Sequence, residues 1–176
     1  MGEIVDINSA RLVRNAYAPS MIRNVQPWEI EDAVQNSSMD RLLDAASTLN
    51  EEGKFEQALP ILEQICKRDL SEIVPYATAI SAELTYCASE LFDSYFVRNE
   101  FPFNPHFLSR CLGALVVAAE FDPENIDARF KLHQGYRMHG YASEARQIAE
   151  QSIGLAYRTK NAQAVMAFSE ELRRIA

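Results

Sequence analysis

The residues of this chain whose types could do chemistry are three histidines, three cysteines and a few neighbouring carboxylates. His133 and His139 stand six positions apart in a stretch of helical periodicity, so their rings point in different directions. Helical zinc ligands need spacings of three or four, and His106 is remote in sequence from both, so no metal site is expected. His133 reads instead as a packing residue or as a group on a groove wall. Cys66, Cys87 and Cys111 are odd in number, lack a Cys-x-x-Cys spacing and lie among apolar residues. They are expected to be buried thiols in a reducing compartment, not a disulfide framework. The carboxylate pairs Glu51–Glu52, Glu124–Asp127 and Glu170–Glu171 fit solvated helix faces, because an acid–base pair would need burial to shift its pKa. There is no Gly-rich phosphate loop, no nucleophile elbow and no Cys–His pair at a known spacing. The expectation is a protein that is not an enzyme and needs no cofactor.

Charge and hydropathy narrow the partners. Of the 176 residues, 48% are hydrophobic and 24% charged, the balance of a globular domain with a real core. The net charge is −8, Lys is scarce and Arg is scattered, so nucleic acid is not an expected partner. No apolar run approaches the roughly 20 residues that span a bilayer, which argues against membrane insertion. The start, Met1-Gly2-Glu3-Ile4-Val5-Asp6, has no basic segment followed by an apolar run, and Asp6 stands where myristoylation needs Ser or Thr. A cytoplasmic protein is expected.

The elements that must position these residues read as helices throughout. Residues 1–36 form an N-terminal arm with a short helix, interrupted by Pro19 and Pro27. Ser37 or Ser38 can cap a helix carrying Leu42, Leu43, Ala45, Ala46 and Leu49, which Gly53 ends by taking a left-handed conformation. Phe55, Ala58, Leu59, Leu62, Ile65 and Cys66 then recur by threes and fours, completing an antiparallel hairpin. The same grammar returns after Asp122-Pro123-Glu124-Asn125: a helix with Ala128, Leu132, Gly135 and Tyr136, a break at Gly140, and a helix with Ala145, Ile148, Ala149, Ser152, Ile153 and Ala156. Between them lie a long helix from about Glu72 to Arg98, a turn through Phe101-Pro102-Phe103, and a strongly apolar helix from Pro105 to Phe121. Residues 161–175 form an amphipathic helix with Ala164, Val165, Phe168 and Leu172 inward, suited to capping a stack.

On these residues the chain resembles the tetratricopeptide repeat family, whose units are helix pairs of ~34 residues. Gly53, Phe55 and Ala58 are similar to that family's Gly-x-aromatic-x-x-Ala turn; Tyr136, Gly140, Ala145 and Ala149 are the counterpart in the last repeat. Departures are a missing early Trp, His133 where a Gly is usual, and a middle unit without the Gly turn. Ala58 and Ala145 lie farther apart than two periods, and the surplus falls in that middle unit. The resemblance implies an all-α fold, a right-handed superhelical stack of antiparallel helix pairs over 37–176. Its repeats are expected at about 39–72, 73–125 (enlarged) and 126–159, with the capping helix at 161–175.

What the resemblance implies for function is an adaptor or assembly factor holding a protein or peptide segment in a concave groove lined by first helices. The residues expected on that groove are Leu43, Ser47 and Asn50 in the first repeat and Phe130, Gln134, Arg137 and Met138 in the last. Phe130 and Met138 fall off the Ala128–Leu132–Tyr136 stripe; the alternative for both is contact with the enlarged middle repeat. A carboxylate clamp is poorly supplied, mainly by Asn50, Lys131 and Arg137. Size, charge and repeat count also look like the small type III secretion chaperones, which makes a dedicated cytoplasmic chaperone the alternative. Self-association through the arm as a homodimer is a third reading.

Overall fold

A computed structural model describes residues 37–98 and 105–175. The fold is all-α: among the described residues there is no strand. The expected arm at 1–36 and the Phe101–Phe103 turn lie outside the described residues. The chain divides at Tyr76/Ala77 into two compact units.

In the first unit, α1 (Met39–Glu51) packs against α2 (Phe55–Ile65). Met39, Leu42, Ala46 and Leu49 recur by threes and fours, so one face of α1 is apolar, and all four are buried. The facing side of α2 is Ala58, Leu59, Ile61, Leu62 and Ile65. Ser38 sits at the expected N-cap with extended backbone, but its hydroxyl makes no capping bond. The α1–α2 turn is the one expected: Gly53 takes φ 71° and lets the Lys54 N–H reach back to the Leu49 carbonyl at 2.8 Å. Pro60 lies inside α2, where it withholds one helical N–H without ending the helix.

Arg68 closes the open end of this hairpin. Its guanidinium donates to the Ser37 carbonyl at 2.6 Å and pairs with Glu72 at 3.1 Å. Burial, with the Glu63 carboxylate nearby, pushes the half-buried Cys66 thiol up to about 11 and leaves it protonated and inert. A short α3 (Leu70–Ile73) and a 3₁₀ turn (Val74–Tyr76) finish the unit, with Tyr76 hydrogen-bonded to the Asp40 side chain.

The second unit opens with α4 (Ala77–Phe92), which continues into a single π turn (Asp93–Val97). The long helix expected from Glu72 to Arg98 is therefore four pieces. Val74-Pro75 tightens its start, since Pro75 has no N–H to continue an α ladder. The π turn re-aims Tyr95 and Phe96: Phe96 meets Phe92 at 5.3 Å, and Tyr95 meets Phe107 at 4.3 Å between ring centroids. α5 (Pro105–Phe121) packs along α4 through Leu108, Cys111, Leu112, Leu115 and Ala118.

Three further helices follow: α6 (Ile126–Met138), α7 (Ala142–Arg158) and α8 (Ala162–Ile175). Asn125 starts α6 in two ways. Its carbonyl accepts from the Ala128 N–H at 2.9 Å, while its amide donates to Ser81 and Thr85 of α4 at 2.8 and 2.9 Å. Gly135 brings α6 close to its neighbours: a Cβ there would overlap Leu112 and press on Phe92 at 3.3 Å. Lys131 adds an ion pair with Asp93 at 2.9 Å. Gly140 takes φ 79° and hands the chain to α7, and α7 packs on both α6 and α8. No described helix is long and apolar enough to cross a membrane.

Candidate functional site

The residues expected on a groove are described unit by unit. On α1, Leu43 and Ser47 are half-buried, while Asn50 is only 2% exposed and is part of the interior. On α6, Phe130 and Gln134 are half-buried, Arg137 is exposed and Met138 is 48% exposed.

Phe130 is packed against the buried cluster of Ala149, Ala156, Ala164 and Phe168. Its ring meets Phe168 of α8 edge-to-face at 5.4 Å. The two aromatics form the floor of a depression of about 330 Å³ between the first turns of α6 and α8. Ile126, Ala164 and Ala167 extend the apolar floor; Asp127, Asn161 and Gln163 supply the polar side. Asn161 also caps α8, accepting from the Ala164 N–H at 3.0 Å. Such a hollow suits one apolar side chain of a docked segment, with polar groups to fix its direction.

Arg137 is tied down by the same helix. Its guanidinium donates to Glu171 at 2.6 Å, and Arg174 donates to the other carboxylate oxygen at 2.7 Å. His133, fully buried, lies below them. A carbonyl can only accept, so the contact from His133 Nδ1 to the Ala145 oxygen at 2.9 Å places a proton on Nδ1. Nε2 then faces Glu171 at 3.3 Å. This corrects the expectation for Glu170–Glu171: Glu170 is exposed and pairs with Arg174, whereas Glu171 is 7% exposed and holds α8 against α6. A carboxylate placed one residue beyond the solvent face by helical geometry looks solvated in sequence; only the arginines opposite reveal otherwise.

His139 goes the other way, as its spacing from His133 implied. It lies edge-on to Phe92 at 6.5 Å and to Phe96 at 5.4 Å, and burial holds its pKa below the ordinary histidine value. Cys87 and Cys111 are buried and reduced. Among the described residues no group of three or more His, Cys, Asp or Glu could hold a metal ion.

Asp127, Asn161, Gln163 and Ala167 were not among the expected groove residues. The available signal was Phe168: an aromatic on the inward stripe of a terminal helix must meet something, and Phe130 was the off-stripe aromatic available to meet it. No family model, curated protein or solved structure matches this chain.

Proposed function

We propose that this chain is a cytoplasmic, non-catalytic adaptor or assembly factor whose helix pairs stack in the manner of tetratricopeptide repeats and hold a segment of a partner protein along their first helices. The observation that carries the proposal is the Phe130 depression. It is an open hollow with an aromatic floor, set between α6, which the Asn125 side chain caps, and α8, which follows the positive-φ turn at Lys160. Repeated hairpins of this kind present continuous surfaces on which extended or helical peptides dock. Met138, exposed at the far end of α6, extends the surface along the same helix.

The test is site-specific photo-crosslinking, since replacing Phe130 would also loosen α8. A photoreactive residue at Gln163 or at Met138 is expected to trap the same partner, identified by mass spectrometry. The same residue at Gln147, exposed on α7, is expected to trap none of it. Asp127→Lys should weaken both productive crosslinks. Equal capture from all three positions, or capture from Gln147 alone, removes the assignment.

A further inference from the structure

Three turns in the described chain share one geometry, and one of them lacks the residue that geometry favours. The Lys54 N–H reaches the Leu49 carbonyl, the Tyr141 N–H reaches the Tyr136 carbonyl, and the Asn161 N–H reaches the Ala156 carbonyl, at 2.8, 2.9 and 2.8 Å. The residue at positive φ is Gly53 in the first, Gly140 in the second and Lys160 in the third, at φ 57°. A side chain there is disfavoured relative to glycine, because its Cβ crowds the backbone at positive φ. The two glycine turns demonstrate that the turn needs no side chain, so what Lys160 contributes must come from its ammonium or its stem.

Lys160 lines a depression of about 390 Å³ between the end of α7 and the start of α8. The other walls are Ala156, Tyr157, Ala162, Val165 and Met166, so the ammonium is the one charged group of the lining. Tyr157 and Met166 are each 67% exposed, an unusual state for large apolar side chains standing together. Among the described residues Lys160 makes no side-chain hydrogen bond or ion pair.

We infer that this hollow is a second protein-binding surface, taking an apolar side chain flanked by a carboxylate from an acidic amphipathic segment of a partner protein. The apolar walls bury the hydrocarbon, and the ammonium at their edge supplies a charge-assisted hydrogen bond to the acid. The chain's net charge of −8 does not oppose this. At physiological ionic strength charges beyond about 8 Å are screened, so the local cation decides. The inference stands apart from the Phe130 surface and does not depend on it. A cation near the C-terminal end of α7 also favours the helix dipole, but that role predicts an effect on stability alone.

The experiment uses the full chain and fluorescein-labelled synthetic peptides, read by anisotropy. One probe is a short amphipathic helix with a leucine face flanked by glutamates; the other carries lysines in place of the glutamates. The glutamate probe is expected to bind at least about tenfold more tightly than the lysine probe. Lys160→Glu should weaken it by about tenfold, and Lys160→Arg should preserve it. Lys160→Gly is the decisive variant: it should raise the thermal midpoint while weakening the probe. Equal binding of both probes, no binding of the glutamate probe, or affinity unchanged in Lys160→Glu and Lys160→Gly would overturn the inference.

Discussion

The α1–α2 hairpin and the α6–α7–α8 group use the same turn to make different interiors. The first is closed by hydrocarbon: Leu42, Ala46 and Leu49 meet Leu59, Leu62 and Ile65, and a single arginine clips the open end. The second is built on small residues, Ala128, Gly135, Ala145, Ala149 and Ala156, which let helices approach closely. Into that tight group it places a polar centre, His133 with Glu171, Arg137 and Arg174. The difference teaches where a repeat can leave an opening. Bulky aliphatic side chains fill the space between two helices, whereas small residues joined by an ion cluster leave the first turns of α6 and α8 apart, and the Phe130 hollow lies there.

The sharpest way to break this comparison is to remove bulk from the hydrocarbon interior. Leu62→Ala, at a position with no exposure, should destabilise the chain by about 3 kcal/mol through lost burial and a residual cavity, measured by urea unfolding. A smaller effect should follow in the polar interior. Glu171→Ala leaves Arg137 and Arg174 without their shared acceptor and should cost about 2 kcal/mol. Its signature is local: amide exchange in α8 should speed up more than in α4 or α5. If exchange rises evenly across the second unit, Glu171 does not hold α8.

The turns give effects of about 1 kcal/mol with opposite signs. Gly53→Ala and Gly140→Ala force a Cβ into positive φ and should lower stability, while Lys160→Gly should raise it by a similar amount. Identical signs in all three would mean that the shared hydrogen-bond pattern does not reflect shared strain.

The smallest effect is pH-dependent and belongs to His139. Burial between Phe92 and Phe96 lowers its folded-state pKa, so the unfolded chain takes up a proton more readily than the folded one. Its contribution to stability is therefore fully present above the ordinary histidine value of about 6.5 and is lost as pH falls through that value toward the lower folded one. Chemical unfolding at pH 7.5 and pH 5.5 should show a steeper loss for the native chain than for His139→Gln. Parallel losses would remove His139 as the cause.

The local grammar was legible because it is local. The left-handed Gly53, the break at Gly140, the turn at Asp122–Asn125, the span Pro105–Phe121 and the inward stripe Ala164–Phe168 each depend on a few neighbouring residues, and backbone sterics or 3.6-residue periodicity fix them before any tertiary contact forms. The site was legible only in fragments. Phe130 was visible as an aromatic off its stripe, but not Asp127, Asn161 and Gln163 beside it, because those sit on two helices whose approach no short segment encodes.

The sequence by itself therefore determined the helical class, the hairpin turns and most of the residues facing inward. Tertiary structure alone decided the break of the middle helix into a 3₁₀ start and a π turn, the burial of Glu171, and the pairing of Phe130 with Phe168. The reason is physical. Periodicity says which side of a helix is buried, but the distance and rotation between helices follow from how side-chain volumes interlock. Those volumes meet across positions far apart in the chain.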